Sequence, residues 1–412
     1  MDGRERILQA ISHREPDRVP VDLGATPSSG ISAIAYNRLK RHLRLEGGRT
    51  RVYDVVQQLA EPEETLLRRF RVDVVDLGRT FNRKDAEWYG TTLHDGSAAE
   101  YPAWFRPEPL PDGSWIARGA AGVEIARQPA SGAFYDQTLF PWIDGYPDGF
   151  RGLDEAMGQV LWSALVHSPW DHASEPGFWR RLRQEALDLR ASTDRAILVV
   201  CGCNLFEWGT FLRRLDNFLV DVYTDPDAVE GLLDALLERH LRTLALVCEA
   251  VGDIADVLRF GDDLGMDSGP FLSPAHYRRL FKPRHRQLCE YVHRHSAMKT
   301  FLHSCGSIHE LIPDLIEAGF DVLNPMQTQC RNMEPERLKR EFGRDVAFWG
   351  GGSDTRNVLN RGTPQQVKDD ARRRLEILAP GGGYVFNPIH NILPDVPPEN
   401  VAALFEAVEE FG

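Results

Sequence analysis

A histidine and a cysteine, His303 and Cys305, stand two positions apart at the end of a short apolar run in this chain of 412 residues. On an extended chain, side chains at positions i and i+2 point to the same side. An imidazole nitrogen and a thiolate could therefore contact one ion together, and both are good ligands for zinc. A lone His-x-Cys pair is a weak indication of a metal site, and without context it is more often structural. The elements around the pair decide between these readings.

The segment 298–325 predicts the elements that position this pair. Residues 298–302 are apolar and predict a strand, which ends at the polar cluster that contains His303 and Cys305. A helical apolar pattern follows, and Gly319 then marks the end of that helix. Residues 321–325 predict a second strand. The order strand, turn, helix, strand is a βαβ unit, with the His-x-Cys pair at the end of its first strand.

The same alternation predicts the fold class of the chain. Eight apolar runs alternate with helical patterns, and they predict strands at residues 17–24, 72–78, 197–202, 256–260, 298–302, 321–325, 346–350 and 384–387. Polar residues collect just after these runs, and in a (β/α)8 barrel all such strand ends open on one face. We therefore predict an α/β fold, a (β/α)8 TIM barrel, with a doubly wound open sheet as the alternative.

The polar residues after the predicted strands form the candidate site. Asp262 and Asp263 follow the fourth strand directly and are the predicted catalytic carboxylates, with a structural turn pair as the alternative. Other polar side chains at strand ends are predicted to bind substrate: Asn204, Glu207, Asn324 and Gln327.

Residues 82–144 interrupt the alternation of strands and helices. This segment, from Asn82 to Asp144, is rich in Gly, Pro and aromatic residues, and it predicts a β-rich excursion after the second strand. Its aromatic side chains could cover the mouth of the barrel or form a small core of their own. We expect residues 1–412 to form a single barrel domain that carries this excursion.

Composition excludes several classes of function. A net charge of −13 argues against a surface for nucleic acid or anionic membrane. No apolar run approaches the roughly 20 residues that cross a bilayer, and the charged start of the chain does not look like a signal peptide. Six cysteines without a paired framework favour a reducing compartment. We expect a cytoplasmic protein that binds a small molecule and neither nucleic acid nor membrane.

Five segments of the chain also carry a family resemblance. They read EPDRVPV, GDDLGMDSGPFLSP, HSCGSIHELIPDLIEAGFDVLNPMQ, FWGGGSDT and PGGGYVFNPIHNILPDVPPENV. Together they resemble the uroporphyrinogen decarboxylase superfamily, which includes a branch of cobalamin-dependent methyltransferases. The resemblance runs over most of the chain, and it implies a (β/α)8 barrel.

Two departures from the superfamily pattern bear on function. Decarboxylases of the family carry an Arg-rich segment after the first strand that grips substrate carboxylates, whereas the segment here, GATPSSGISAIAYN, has no Arg or Lys before Arg38. Decarboxylation of uroporphyrinogen is therefore not expected. The methyltransferase branch binds zinc through a His-x-Cys pair and a distant Cys. His303 and Cys305 match the pair, His390 stands at the distant place, and Cys330 is the alternative third ligand.

The resemblance implies a zinc-dependent methyltransferase or demethylase. It would move a methyl group between a small methylated or thiol substrate and a corrinoid, with zinc as the Lewis acid. The chain lacks a D-x-H-x-x-G corrinoid signature, so the corrinoid would be carried by a separate protein. Three alternatives stay open: a decarboxylase-like enzyme without metal that uses Asp262 or Asp263, a metal-dependent lyase or hydrolase, and a non-catalytic corrinoid- or tetrapyrrole-binding protein. The sequence leaves the substrate, the direction of transfer and the oligomeric state open.

Overall fold

The structure, a computed structural model, describes residues 1–45, 47–81, 83–165 and 173–412. Strands and helices alternate over most of this length. In chain order the strands of the described residues are β1 (Ile31–Ser32), β2 (Val52–Asp54), β3 (Leu59–Ala60), β4 (Val74–Asp76), β5 (Trp88–Thr92), β6 (Ala98–Pro102), β7 (Glu108–Pro109), β8 (Trp115–Arg118), β9 (Glu124–Gln128), β10 (Asp136–Gln137), β11 (Ala196–Gly202), β12 (Val257–Gly261), β13 (Gly265–Met266), β14 (Gly269–Pro270), β15 (Lys299–His303), β16 (Val322–Asn324), β17 (Ala347–Trp349) and β18 (Tyr384–Val385). The helices are α1 (Gly3–Ile11), α2 (Ala33–His42), α3 (Glu64–Arg69), α4 (Leu153–Gln159), α5 (Leu161–Ala164), α6 (Phe178–Ser192), α7 (Phe206–Arg213), α8 (Leu215–Thr224), α9 (Pro226–Val251), α10 (Pro274–His276), α11 (Lys282–His295), α12 (Ile312–Ala318), α13 (Pro335–Phe342), α14 (Pro364–Leu378) and α15 (Pro398–Phe411).

Seven parallel strands curl into the barrel in the order β18, β17, β16, β15, β12, β11, β4. The gap between the two edge strands is filled by residues 20–22. Phe386 donates its N–H to the carbonyl of Pro20 and accepts from Asp22, each at 2.8 Å, and Asp73 donates to the carbonyl of Val21 at 2.8 Å. This segment takes the place of the first predicted strand. It is short because Pro20 has no N–H to donate to a ladder. The predicted (β/α)8 barrel is confirmed.

The amino end of the barrel is filled by apolar side chains and closed by α1. Inward-facing Val74, Leu198, Val257 and Phe301 pack with Ile7 of α1 in one buried cluster. Burial of each such side chain stabilises the fold by roughly 1.5–3 kcal/mol. The opposite, carboxyl end of the strands is where polar side chains face inward, and there the barrel opens.

The predicted excursion is present as antiparallel sheet. β5 pairs with β6, and β7 to β10 form a sheet of four strands. Asn82, where the excursion was predicted to begin, lies outside the described residues. Tyr101, Phe105 and Tyr135 pack edge to face in a small core, with ring centroids 5.2 and 5.7 Å apart, and Phe105 and Tyr135 also line the cavity at the barrel mouth. Gln137 donates to the carbonyl of Phe211 at 2.7 Å and so holds the excursion against the barrel. The aromatic residues thus serve both purposes that the sequence suggested.

Within the described ranges, none of the helices is long and apolar enough to span a bilayer.

A candidate metal and substrate site at the barrel mouth

A cavity of about 1180 Å³ opens at the carboxyl ends of the strands. Its polar wall comes from the barrel and the loops that follow its strands, and its apolar wall comes from the excursion and from helices that include α7. The polar side chains include Asn204, Glu207, Arg259, Asp263, His303 and His390. Cavities of this size and mixed lining are typical of small-molecule sites.

His303, Cys305 and His390 come together at this end of the barrel, and the two histidines line the cavity. One ligand atom from each lies within 4.8 Å of the other two. Sγ of Cys305 is 3.5 Å from Nε2 of His303, and the rings of His303 and His390 are 5.6 Å apart. A tetrahedral zinc ion lies about 2.0–2.3 Å from each ligand atom. A sulfur and a nitrogen ligand of such an ion are separated by about the 3.5 Å that separates Sγ of Cys305 from Nε2 of His303. The donor set and its spacing therefore fit zinc, with two imidazoles and one thiolate.

The orientation of His303 is fixed by a neighbouring amide. Nδ1 of His303 donates to Oδ1 of Asn324 at 2.7 Å. The amide nitrogen of Asn324 donates to the carbonyl of Trp349 at 2.9 Å, which sets the amide so that its oxygen faces the imidazole. Burial lowers the pKa of His303 well below its ordinary value, and the charge of Arg259 adds to this effect. His303 is therefore neutral, with the Nε2 lone pair directed at the cluster.

The loop that carries Cys305 is held by three contacts. Asp263 accepts from the N–H of Cys305 at 2.8 Å, and Gln327 accepts from the N–H of Gly306 at 2.7 Å. Gly306 has a φ of +85°, and a Cβ at this position would collide with the backbone of Gly265. This contact joins the HSCG and GDDLG segments. Burial, together with the charges of Asp263 and Glu207, raises the pKa of the Cys305 thiol well above its ordinary value, so a bound cation would have to displace the thiol proton.

Asp262 faces away from the cavity into a hydrogen-bonded network. Its carboxylate accepts from the N–H of Leu205 at 3.1 Å and from that of Glu207 at 2.9 Å, at the start of α7. His285 lies 3.0 Å from the same carboxylate through Nε2 and contacts the hydroxyl of Tyr277 at 2.9 Å through Nδ1. The side chain is fully buried. This geometry favours a positioning role for Asp262 over the predicted catalytic one, because its oxygens are already engaged.

Of the carboxyl groups that line the cavity, Asp263 and Glu207 are the two that the sequence predicted for the site. Oδ1 of Asp263 lies 3.6 Å from Nε2 of His303, and Glu207 accepts from the amide of Asn204 at 2.5 Å. Burial raises the pKa of Glu207 well above its ordinary value, and the nearby charges of Asp263 and Asp262 raise it further. Burial also raises the pKa of Asp263. The two groups can therefore hold a proton that a solvated carboxyl would release.

The remaining predicted residues divide into two groups. Asn204 and Glu207 line the cavity, where a substrate could reach them. The amide oxygen of Asn324 accepts from His303, and that of Gln327 accepts from Gly306. These contacts favour a positioning role for both residues over the predicted contact with substrate. Cys330, the alternative third ligand, lies outside the three-residue cluster and contacts Oδ1 of Asp267 at 3.3 Å through its thiol.

Sequence reasoning missed Arg259. This arginine sits in the middle of β12 and lines the cavity. The alternation along β12 puts it on the same side as Val257, which belongs to the interior cluster of the barrel. The sequence did contain a signal for this residue, because Arg259 is a charged residue at a position that the alternation of the strand places on the inward face of the barrel. The thiols of Cys201 and Cys203, 3.6 Å apart, also line the wall.

Comparisons with known proteins agree with this geometry. Residues 208–411 match the model of the family described as uroporphyrinogen decarboxylase (URO-D). Uroporphyrinogen decarboxylase of Methylococcus capsulatus is 44% identical over 194 residues, which cover 46% of this chain and 51% of the relative. Methylcobamide:CoM methyltransferase MtaA of Methanosarcina barkeri is 26% identical over 204 residues, or 48% of this chain and 54% of the relative.

A solved structure extends the comparison to the whole fold. A methyltransferase from Methanosarcina mazei superposes with a TM-score of 0.58 at 19% identity, covering 100% of this chain and 99% of the other. The matches to the two curated relatives, by contrast, span about half of each relative's length. The resemblance predicted from the sequence is thereby confirmed: the carboxyl-terminal half of the chain matches the uroporphyrinogen decarboxylase family model, its relatives include uroporphyrinogen decarboxylases and a methylcobamide:CoM methyltransferase, and the whole chain shares the fold of a solved methyltransferase.

Proposed function

We propose that this chain is a metal-dependent methyltransferase or demethylase. It transfers a methyl group between a small methylated or thiol substrate and a corrinoid carried on a separate protein. The observation that carries the proposal is the cluster of His303, Cys305 and His390, whose ligand atoms lie within 4.8 Å of one another at the barrel mouth. The similarity to a methylcobamide:CoM methyltransferase of Methanosarcina barkeri supports the reaction class.

Zinc is the metal that best suits these donors. Three protein ligands leave the fourth tetrahedral position open, which is typical of catalytic sites. A bound zinc ion would supply Lewis acidity to a substrate thiol or to the heteroatom of a methylated substrate. The cavity in front of the cluster is large enough for such a substrate and contains the side chains of Glu207 and Asp263.

The chain's own residues have two tasks in this reaction. Asn324 accepts from Nδ1 of His303 and so leaves Nε2 as the ligand atom, and Asp263 holds the backbone of Cys305, so these two donors are fixed before substrate binds. Glu207 and Asp263 handle the proton. When a methyl group leaves oxygen or nitrogen, the heteroatom needs a proton, and a protonated carboxyl in the cavity can give it. When a thiol is methylated, the same group can accept the thiol proton.

One observation favours a second candidate, a decarboxylase-like enzyme that uses no metal. Glu207 and Asp263 share the cavity and both have raised pKa values. Decarboxylation ends when a proton is transferred to the carbon that has lost CO2, and a buried carboxylic acid can donate that proton. Activity of this kind would require the two carboxyl groups and would not change when Cys305 is replaced.

The two candidates differ in their response to metal removal. The test is metal content by mass spectrometry, together with methyl transfer between methylcob(III)alamin and a panel of small thiols, followed by the absorbance of the cobalamin. The reverse assay offers cob(I)alamin and a panel of methyl ethers. We expect about one zinc per chain, loss of transfer after treatment with a strong chelator, and recovery with added zinc. Full transfer by protein that is metal-free in the presence of the chelator would exclude the metal mechanism.

A further inference from the structure

Arg259 lies on the floor of the cavity, one inward layer below the metal cluster. On β12 it pairs in register with Val200 of β11 and with Phe301 of β15. The next inward residue, Gly261, pairs with His303. Two residues of a strand span roughly 7 Å, so the Cα of Arg259 lies about that far below the level of His303. A guanidinium reaching upward from this place enters the space in front of the cluster.

The guanidinium of Arg259 has few partners for a cation that is partly buried. Its Nε is buried and has no hydrogen-bond partner, and within the described part of the chain Arg259 forms no ion pair. Two buried arginines of this chain are paired with carboxylates. Arg6 binds Asp73 at 2.6 Å, and Arg374 binds Asp370 at 3.0 Å. Because a partly buried guanidinium without a protein partner can gain from pairing with an anion, the position of Arg259 suits an anionic group of a ligand.

The acidic residues of the cavity do not supply that anion directly. The oxygens of Glu207 and Asp263 are engaged by the amide of Asn204 and the N–H of Cys305. Asp54 accepts from the N–H groups of Val56 and Gln57. Arg259 is left with a place for one further anionic group.

We infer that Arg259 binds a carboxylate of the substrate at the floor of the cavity. The substrate is then a small carboxylic acid with an apolar body, and, where the proposed function holds, its far end reaches the metal cluster. A carboxylate matches the planar fork of a guanidinium, which can donate from Nε and Nη together. A single guanidinium without an ion-pair partner suits a single negative charge. The apolar body is implied by the wall of Trp104, Phe105, Trp208 and Phe211.

Binding of simple probes tests this inference without knowledge of the substrate. Isothermal titration of the full chain would use benzoate, its neutral isostere benzamide, and inorganic phosphate. We expect benzoate to bind better than benzamide, and Arg259→Gln to weaken benzoate at least tenfold while leaving benzamide unchanged. Arg259→Lys, which keeps the charge and loses the fork, should retain part of the affinity. Unchanged benzoate affinity in Arg259→Gln would overturn the inference, and so would phosphate binding as tightly as benzoate.

A matched control is provided by Arg239, a second arginine of the cavity wall. It already binds Asp154 through Nε at 2.5 Å, so Arg239→Gln should keep the affinity for benzoate. An equal loss in both variants would mean that general charge, not Arg259, attracts the probe. Circular dichroism and the unfolding temperature check that each variant is folded. If Arg259→Gln unfolds, Arg259→Lys carries the comparison, and equal benzoate affinity in Arg259→Lys and wild type would overturn the inference.

The same titrations on chelator-treated protein separate this inference from the proposed function. Benzoate binding that persists without metal and depends on Arg259 supports the carboxylate site, even if methyl transfer is never found. Benzoate binding that requires metal and is unchanged in Arg259→Gln would overturn the carboxylate site and leave the metal mechanism standing.

Discussion

Nδ1 of His303 lies 2.7 Å from Oδ1 of Asn324, deep at the end of two neighbouring strands. Asn324 is itself held by the carbonyl of Trp349 on the next strand. Three adjacent strands therefore fix the ring of one proposed metal ligand. Such partners commonly decide both the tautomer and the basicity of a ligating histidine.

We expect Asn324→Ala to weaken zinc binding by about 10- to 100-fold, because His303 loses the partner that fixes its tautomer and ring orientation. Competition with a chromophoric chelator measures this affinity. Ser28→Ala is the matched control, since the Ser28 hydroxyl donates to the same oxygen of Asn324 at 2.9 Å but does not contact His303. Equal zinc affinity in Asn324→Ala and wild type would contradict the prediction.

Replacement of the two adjacent aspartates should separate stability from activity. Asp262→Asn leaves buried N–H groups of α7 poorly paired and should lower the free energy of unfolding by about 2–4 kcal/mol. Asp263→Asn should change it by less than about 1 kcal/mol and reduce turnover by about 10²- to 10⁴-fold. Denaturant titration and the methyl-transfer assay measure the two effects. Full turnover in both variants would make the pair structural.

The adjacency of Asp262 and Asp263 also marks where sequence reasoning stops. Neighbouring residues after a strand point in opposite directions, so only one of the two can enter the cavity. Their order in the chain does not say which, because that depends on how β12 is turned between β11 and β15. The same rotation of β12 about its own axis directs the side chain of Arg259 into the barrel. Apolar runs were sufficient to predict the barrel, since burial dominates strand formation. Only the structure identifies which polar side chains face the cavity.

The spacing of His303 and Cys305, in contrast, transferred directly from sequence to structure. Their i, i+2 relation at a strand end puts both on one side whatever the register, and the ligand atoms lie 3.5 Å apart. The proximity of His390 required the barrel, because 85 residues separate it from Cys305 and only closure brings their strand ends together. The first strand was predicted at residues 17–24 and is present over residues 20–22 only, since Pro20 belongs to the apolar run and yet cannot donate to the ladder.

His240 should make stability depend on pH. It is buried and lies 2.8 Å from the carbonyl of Asn204 through Nε2, and burial lowers its pKa from 6.5 to about 4. The unfolded chain takes up the proton first as pH falls. The stability contributed by neutral His240 is therefore present above pH 6.5 and is lost between about pH 6.5 and 4, by up to roughly 3 kcal/mol.

The matched variant for this prediction is His240→Gln, which keeps a donor and cannot titrate. The difference in unfolding free energy between wild type and His240→Gln should shrink or change sign as pH falls through this window. Taking the difference removes the contributions of the buried aspartates, which titrate in the same range. A difference that is constant from pH 7 to pH 4 would show that His240 does not titrate as expected.

The chain should not decarboxylate uroporphyrinogen. Residues 24–37 contain no Lys or Arg, and Pro27 and Ser28, which reach the cavity from this segment, are uncharged. Four acetate groups would enter a cavity that several carboxyl groups line, and two of its arginines are already paired, Arg118 with Glu108 and Arg239 with Asp154, which is unfavourable. Incubation of the pure protein with uroporphyrinogen and separation of the products by chromatography tests this. Formation of coproporphyrinogen would contradict it.

Cysteine substitutions test the metal ligands most directly. Cys305→Ser should lose most bound zinc, because serine is a poor ligand for this ion and the other two donors hold it weakly. The barrel should stay folded, since its core is the apolar layer closed by α1 and does not include the cluster. Cys330→Ser is the matched control. Its thiol contacts Asp267 at 3.3 Å and lies outside the three-residue cluster, so zinc content should match that of wild type.

His390→Ala should lower zinc content as Cys305→Ser does. Zinc occupancy of the wild type should fall as pH falls, because Cys305 and both histidines must be deprotonated to bind. If Cys330→Ser loses zinc while His390→Ala retains it, Cys330 is the third ligand and the geometry must rearrange on binding.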